Sequence, residues 1–164
     1  GTGSGCLAIS VAARVPGVQV VAVDVSGPAL ELARRNGRRH DLGERVEWVE
    51  SDGCQALPAS ATFDLVVANP PYIAAGEWEK LDPEVKDFDP RLALVGGEDG
   101  LDFYRRLAGE LPDRMRAGGK LMVEFGDHQG PAVARMLADA GWVVDPLRHD
   151  YSGRERFLLA GRPS

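Results

Sequence analysis

Residues 63–72 read FDLVVANPPY, an apolar run that ends in a rigid polar turn. The run 63–68 is short and largely apolar, which predicts a buried strand. Pro70 and Pro71 each fix their own φ, and Pro71 also restricts the residue before it. The stretch therefore predicts a strand whose carboxyl end presents Asn69 and Tyr72 in a nearly fixed geometry.

Strands and helices alternate on both sides of this stretch. The alternation predicts an α/β fold, a single domain over residues 1–164, with a parallel sheet and helices on both of its faces. Ligands of such sheets bind at the carboxyl ends of the strands. Residues 69–100 predict a long surface loop. The predicted strands are 18–23, 45–50, 63–68, 120–125, 142–147 and 156–160, and the predicted helices are 6–14, one capped by Ser26, 102–117 and 132–140.

The composition is that of a globular protein with one sizeable core. The 164 residues are 44% hydrophobic and carry a net charge of −6, which argues against a protein that binds nucleic acid by general phosphate attraction. The two cysteines, Cys6 and Cys54, lack CxxC spacing, so neither a disulfide framework nor a metal site is expected, and the reducing cytoplasm is the expected compartment. No apolar run in the sequence reaches membrane-spanning length.

A glycine loop precedes the predicted helix 6–14. Glycines let a ligand approach the backbone, and the free N–H groups of a helix N-terminus favour an anionic group. The pattern GxGxG differs from the GxGxxG of dinucleotide-binding folds, and an ordinary turn remains the alternative. The candidate cofactor residues here are Gly1, Thr2, Gly3, Ser4 and Gly5.

Carboxylates follow two of the predicted strands. Asp24 lies 19 residues after Gly5, where an acidic residue can accept hydrogen bonds from two ribose hydroxyls. Asp52, followed by Gly53, could accept a hydrogen bond from an adenine amino group. The alternatives are a carboxylate that caps the next helix for Asp24 and simple turn chemistry for Asp52. Folds that bind NAD and folds that bind a methyl donor share this arrangement.

The turn after residues 63–68 offers two fixed hydrogen-bond acceptors, the Asn69 side-chain oxygen and the Pro70 carbonyl. A planar –NH₂ group has two donors, so these acceptors can orient it and favour positive charge on its nitrogen as it attacks an electrophile. Tyr72 could pack against the flat acceptor group. We assign catalytic roles to Asn69, Pro70 and Tyr72, substrate binding to these residues and Pro71, and a cofactor contact to Asn69. The chemistry requires no metal.

These motifs resemble class I methyltransferases that act on –NH₂ groups. More narrowly, the chain resembles the HemK/PrmC family, the N5-glutamine methyltransferases of peptide chain release factors. The likeness covers essentially the whole chain. The stretch 84–101 is more specific to the family than the acceptor turn, residues 69–72, which would hold the group that accepts the methyl. The matching segments are 1–5, 69–73, 84–90, 93–94, 96–97, 99–101, 124–126 and 152–156.

The resemblance implies S-adenosylmethionine as cofactor and the glutamine of a release factor's Gly-Gly-Gln motif as acceptor. It implies a class I, Rossmann-like sheet of seven strands whose last strand is antiparallel. It also implies a helical N-terminal domain and a first strand ahead of Gly1, without which we expect the 164 residues to be poorly stable or to borrow a strand. Neither a membrane nor nucleic acid is an expected partner.

Other functions stay open at this point. A similar turn could hold the amino group of adenine or guanine in DNA or RNA. A ribosomal-protein glutamine methyltransferase would share the chemistry but not the partner. A third alternative is a catalytically incompetent fragment that only binds the cofactor.

Overall fold

Strands and helices alternate through residues 1–162, the part of the chain that the computed structural model describes. The chain divides into two units, residues 1–59 and residues 60–164. The first unit carries the glycine loop, Asp24 and Asp52. The second unit carries the turn 69–72 and the stretch 84–101.

The first unit pairs two parallel strands joined by a helical crossover. Val20 lies opposite Val46 and Asp24 lies opposite Glu50, so the two strands end at the same edge. Its elements are α1 (Cys6–Arg14), β1 (Val20–Asp24), α2 (Gly27–Arg39) and β2 (Val46–Glu50), with a 3₁₀ turn at Gly43–Arg45.

Local sequence explains where α2 begins. The backbone N–H of Ala29 donates to the Ser26 hydroxyl oxygen over 3.3 Å, and Pro28 lies in the first turn, where a missing N–H costs nothing. Leu30 and Ala33 are fully buried. The predicted helix 6–14 and the cap at Ser26 are therefore confirmed.

The second unit holds a five-stranded mixed sheet. Its strand order is β3-β4-β7-β5, with β6 pairing β7. The strands are β3 (Phe63–Ala68), β4 (Met115–Glu124), β5 (Val143–Val144), β6 (Arg148–His149) and β7 (Glu155–Gly161), and the helices are α3 (Pro83–Phe88), α4 (Arg91–Leu94), α5 (Asp102–Glu110) and α6 (Gly130–Asp139).

The register of this sheet places two strand ends side by side. β3 and β4 are parallel, with Ala68 opposite Val123. β7 runs antiparallel to β4, with Phe157 opposite Glu124, which confirms the antiparallel last strand. Buried side chains such as Val123 and Leu158 each contribute about 1.5–3 kcal/mol relative to exposure. Asn69, which follows β3, therefore begins at the same sheet edge as the end of β4.

The predicted helix 102–117 is wrong in its last turn. α5 ends at Glu110, and a 3₁₀ turn over Pro112–Arg114 follows, because Pro112 cannot continue the helical hydrogen bonding. β4 then begins at Met115. The pair Gly118-Gly119 does not stop a helix but lies inside β4, where the register to β3 shifts. Gly118 has a φ of +75°, which suits a bulge.

The segment 69–100 is not the uninterrupted loop that its composition predicts. It contains α3, α4 and a 3₁₀ segment at Ala75–Lys80, and Pro83 in the first turn of α3 favours helix there. The predicted strand 142–147 shrinks to Val143–Val144, and the two-residue strand β6 is additional. All of these are short elements, whose formation depends on tertiary contacts more than on local pattern.

Candidate functional site

The glycine loop of the first unit is tied to the end of β1 by its own backbone. The N–H of Thr2 donates to the Val23 carbonyl over 2.8 Å, and the N–H of Gly5 donates to the Thr2 carbonyl over 2.9 Å. The N–H of Gly3 donates to a carboxylate oxygen of Asp24 over 2.7 Å. The structure thus brings the glycine loop and Asp24, two of the predicted cofactor elements, into direct contact.

Gly5 is the position in this loop where a side chain has no room. Its φ is +83°, and a Cβ there would lie 3.0 Å from the Trp48 ring and 3.1 Å from Ala33. α1 starts directly after it without a side-chain cap in the described structure, so N–H groups of the first turn remain available to an anion. By contrast, a Cβ on Gly3 would meet nothing within 4 Å, which leaves open space over the loop.

Asp24 is a buried carboxylate, 7% exposed. One of its oxygens accepts the Gly3 N–H, and the other accepts the Ser26 N–H over 2.9 Å. A carboxylate offers about four lone-pair sites. Asp24 can therefore hold the loop and still accept from two hydroxyl groups of a ligand.

The segment after β2 contains a buried serine, Ser51, next to the exposed Asp52. The buried Ser51 donates its N–H to the Asp24 carbonyl over 2.9 Å, and its hydroxyl accepts the Ala56 N–H over 2.9 Å. The Asp52 side chain is exposed and accepts from Gln55 over 3.4 Å, and Gly53 has a φ of +60°. The turn given as the alternative for Asp52 is present, the predicted contact of Asp52 with an adenine amino group stays a prediction, and the contacts of Ser51 were missed.

The acceptor turn of the second unit has a buried base and an exposed tip. Pro70 and Pro71 are buried, Tyr72 is half-buried and Asn69 is exposed. Within residues 1–162, neither the Asn69 side chain nor the Pro70 carbonyl makes a hydrogen bond. Both predicted acceptors are therefore available to a ligand.

The chain after the turn is fixed by the loop that follows α4. The N–H of Ile73 donates to the Leu94 carbonyl, and the N–H of Gly96 donates to the Ile73 carbonyl, each over 2.9 Å. Gly96 lies so close that a Cβ would overlap the carbonyl oxygen of Pro71 and lie 2.9 Å from the Gly100 carbonyl. The glycine at this position is therefore required for the close approach.

An ion pair stabilises this same loop. Asp99 accepts from the Leu101 N–H over 3.1 Å and pairs with Arg105. The hydrogen bond from the Arg105 guanidinium lowers the pKa of the Asp99 carboxyl to about 2. Both groups are exposed, so the pair orders the loop more than it stabilises the fold.

Tyr72 is held from two sides. Its carbonyl accepts the Gln129 side-chain N–H over 2.9 Å, and its ring lies against Gly126, where a Cβ would come within 2.8 Å of Cδ2. The hydroxyl of the buried Tyr104 donates to the Glu124 carbonyl over 2.9 Å. Burial, followed by the neighbouring Tyr72 and Glu124 side chains, raises the pKa of Tyr104, so this phenol stays protonated and structural at neutral pH.

Two side chains at this edge were not resolved by sequence reasoning. Gln129 was missed, since nothing near it in the sequence marks its contact with Tyr72. The sequence assigned no role to Glu124, whose carboxylate makes no hydrogen bond within residues 1–162.

Two further classes of site are absent from the described residues. Residues 1–162 contain no group of three or more His, Cys, Asp or Glu side chains that could hold a metal ion. In the same range, no helix is both long and apolar enough to cross a membrane.

Similarity to known proteins covers nearly the whole chain. Residues 1–82 match the model of the family described as methyltransferase small domain. The chain is 43% identical over 161 residues to a release factor glutamine methyltransferase of Chlorobaculum tepidum, a match that covers 96% of this chain and 54% of the relative. The chain thus spans about half the length of the curated relatives it matches. The resemblance inferred from segments such as 69–73 and 84–101 is confirmed.

Solved structures match the fold at low sequence identity. A methyltransferase from Pyrococcus furiosus is 22% identical with a TM-score of 0.73, covering 100% of this chain and 73% of that chain. An RNA methyltransferase from Salinibacter ruber, solved with S-adenosyl-L-homocysteine, is 18% identical with a TM-score of 0.61, covering 100% of this chain and 78% of that chain. These matches confirm the predicted class I, Rossmann-like fold.

Proposed function

The chain belongs to the methyltransferase small domain family, and on that premise we propose that it methylates the side-chain amide nitrogen of a glutamine. S-adenosylmethionine is the methyl donor, and the acceptor glutamine lies in the Gly-Gly-Gln motif of a peptide chain release factor. The observation that carries the proposal is the pair of unused acceptors at the rigid turn, the Asn69 side-chain oxygen and the Pro70 carbonyl.

The acceptor turn answers the low reactivity of an amide nitrogen, whose lone pair is delocalised into the carbonyl. In the proposed reaction the two amide N–H bonds donate to Asn69 and to the Pro70 carbonyl. As the N–C bond forms and the S–C bond breaks, positive charge develops on the nitrogen, and both acceptors stabilise it. The proton leaves afterwards to solvent, since the departing thioether needs no general acid. Tyr72 flanks the planar amide.

The first unit supplies groups that fit the cofactor. The uncapped start of α1 suits the methionine carboxylate, and the open space over Gly3 admits the ligand. Asp24 retains acceptor capacity for the two ribose hydroxyls. The turn at Asp52 and Gly53 suits the adenine amino group. When bound, S-adenosylmethionine supplies an electrophilic methyl group on a sulfonium, so these residues have only to bind and orient it.

A protein acceptor is preferred to a nucleic acid because of charge. The net charge of −6 opposes general attraction to phosphates. The release factor glutamine methyltransferases at about 43% identity support the same choice. Release factors act with the ribosome, so we also propose the cytoplasm as the compartment.

The test is a comparison of acceptors. Full-length protein with labelled S-adenosylmethionine is incubated with a release factor, with the same factor carrying Gln→Ala in its Gly-Gly-Gln motif, and with DNA and RNA. We expect label on the wild-type factor alone. Label on nucleic acid, or equal label on the Gln→Ala factor, contradicts the proposal.

A further inference from the structure

Gln129 connects two segments that lie far apart in the sequence. Its side-chain N–H donates to the Tyr72 carbonyl over 2.9 Å, and its side-chain oxygen accepts the Gly126 N–H over 3.0 Å. The side chain is half-buried. Each end of the amide thus faces a partner of the opposite type, which fixes its orientation, because a flip would set donor against donor and acceptor against acceptor.

The space around this amide is made by two glycines. A Cβ on Gly100 would come within 2.8 Å of the Gln129 side-chain nitrogen, and a Cβ on Gly126 would come within 3.0 Å of its oxygen. Gly100 also has a φ of +78°, which a side chain would strain. Both glycines are therefore needed for Gln129 to reach Tyr72.

The loop that contains Gly126 is fixed by contacts of its neighbouring residues with Arg156. Arg156 donates to the Phe125 carbonyl and pairs with Asp127, each over 3.3 Å. Arg156 also pairs with Asp150. The hydrogen bond from the Ser152 hydroxyl, with further bonds from Arg154 and Arg156, lowers the pKa of the Asp150 carboxyl, so these contacts persist at neutral pH. Gly126 is thus held in place between two tethered neighbours.

The acceptor turn keeps rotational freedom about some of its backbone bonds, and the Gln129 hydrogen bond restricts it. The prolines fix φ at positions 70 and 71, but ψ at Pro70, Pro71 and Tyr72 stays free unless later contacts set it. Gly96 lies close to the Pro71 carbonyl, and Gln129 donates to the Tyr72 carbonyl. Both contacts therefore limit where the neighbouring Pro70 carbonyl can lie.

We propose that Gln129 is a positioning residue for methyl transfer, which acts through Tyr72 on the Pro70 carbonyl without touching the substrate. The inference rests on the proposed function of the turn. A displacement of about 1 Å in a positioned group costs on the order of 100-fold in rate. Loss of the Gln129 hydrogen bonds should therefore reduce the chemical step and spare cofactor binding.

Two variants test the role. Gln129→Met keeps the length of the side chain and removes both hydrogen bonds. Gln129→Glu keeps the acceptor for Gly126 but places a carboxylate against the Tyr72 carbonyl. In the full-length enzyme we expect kcat to fall by about 10- to 100-fold in both variants at pH 8, with the dissociation constant of S-adenosylmethionine within about threefold of wild type. Gln19→Glu, an exposed site in the first unit, makes the same charge change and should leave kcat unaltered.

A pH series separates positioning from general loosening. A protonated carboxyl has one donor and one acceptor, as the glutamine amide does. An ordinary glutamate titrates at about pH 4.3, so the rate of Gln129→Glu relative to wild type should rise as the pH falls from 8 towards 4.5. A ratio that stays flat overturns the inference, as does a Gln129→Met variant with wild-type kcat or one that loses cofactor affinity in step with kcat. A wild type that labels nucleic acid contradicts the proposed function instead, and the variants are then compared on that acceptor.

Discussion

The glycine loop of the first unit and the acceptor turn of the second unit are held in different ways. The loop is held by backbone hydrogen bonds to the end of β1 and by one buried side chain, Asp24, the last residue of β1, which accepts the Gly3 N–H. Within residues 1–162, the side chains of the acceptor turn make no hydrogen bond. The turn is held through its main chain, which Gly96 approaches closely on one side and to which Gln129 donates on the other. The loop and its carboxylate can therefore be predicted from the sequence. The contacts by which distant segments position the acceptor turn cannot.

The largest effect in this comparison is expected at Gly96. Gly96→Ala forces a Cβ into the Pro71 carbonyl and should displace the acceptor turn. We expect methyl transfer to fall more than about 100-fold, with the affinity for S-adenosylmethionine unchanged, as measured by steady-state kinetics and calorimetry.

Gly76→Ala is the matched control, because a Cβ there meets nothing within 4 Å. Equal losses in the two variants would mean that the close approach at Gly96 does not position the turn.

A substitution at Asp24, in contrast to Gly96→Ala, should weaken the binding of S-adenosylmethionine. Asp24→Asn leaves one amide N–H facing a backbone donor at Gly3 or Ser26, so the loop loosens and ligand hydroxyls lose an anionic acceptor. Hydrogen bonds to charged groups contribute about 1.5–3 kcal/mol, so the dissociation constant of S-adenosylmethionine should rise by about 10- to 100-fold. Isothermal titration checks this, with the exposed Asp41→Asn as control. Unchanged affinity in Asp24→Asn would remove Asp24 from the cofactor site.

A comparison of Gly5 with Gly17 separates the cost of a left-handed backbone from the cost of a close contact. Gly5→Ala meets both a φ of +83° and the Trp48 ring at 3.0 Å, whereas Gly17→Ala meets a φ of +76° with nothing within 4 Å. Left-handed backbone costs a residue with a side chain about 1–2 kcal/mol. Urea unfolding should therefore show a loss of this size for Gly17→Ala and a larger one for Gly5→Ala. Similar losses of unfolding free energy in the two variants would show that the Trp48 ring can move away from a Cβ at position 5 at little cost.

The same contrast explains which elements and site residues could be predicted from the sequence. The bounds of α1, the cap at Ser26 and β3 were predictable, because each depends on residues within a few positions of it. The short helices of 69–100 and the bulge at Gly118 were not, since tertiary contacts decide them. Asn69 and Pro70 could be picked out by chemistry, but Gln129 could not, because its partner Tyr72 lies 57 residues away.

The smallest effect is expected for the exposed pair of Asp99 and Arg105. The pKa of Asp99 is lowered to about 2 from an ordinary value of 3.8, so its contribution is fully present above pH 4 and is lost as the pH falls towards 2. Carbon-detected NMR should show Asp99 titrating near pH 2 and, in Arg105→Gln, closer to pH 4. Activity at pH 7 should change little in Arg105→Gln, and a normal Asp99 titration in the wild type would contradict the ion pair.

The most direct test of the acceptor turn is Asn69→Ala in the full-length enzyme, measured at once for transfer of labelled methyl to a release factor and for binding of S-adenosylmethionine. Removing one of two preorganised hydrogen-bond partners costs about 2.7–4 kcal/mol in the transition state, so transfer should fall by about 100- to 1,000-fold while the dissociation constant stays within about threefold. Transfer at the wild-type rate, or a loss of cofactor binding that accounts for the lost transfer, would contradict the assignment of the turn as the acceptor site.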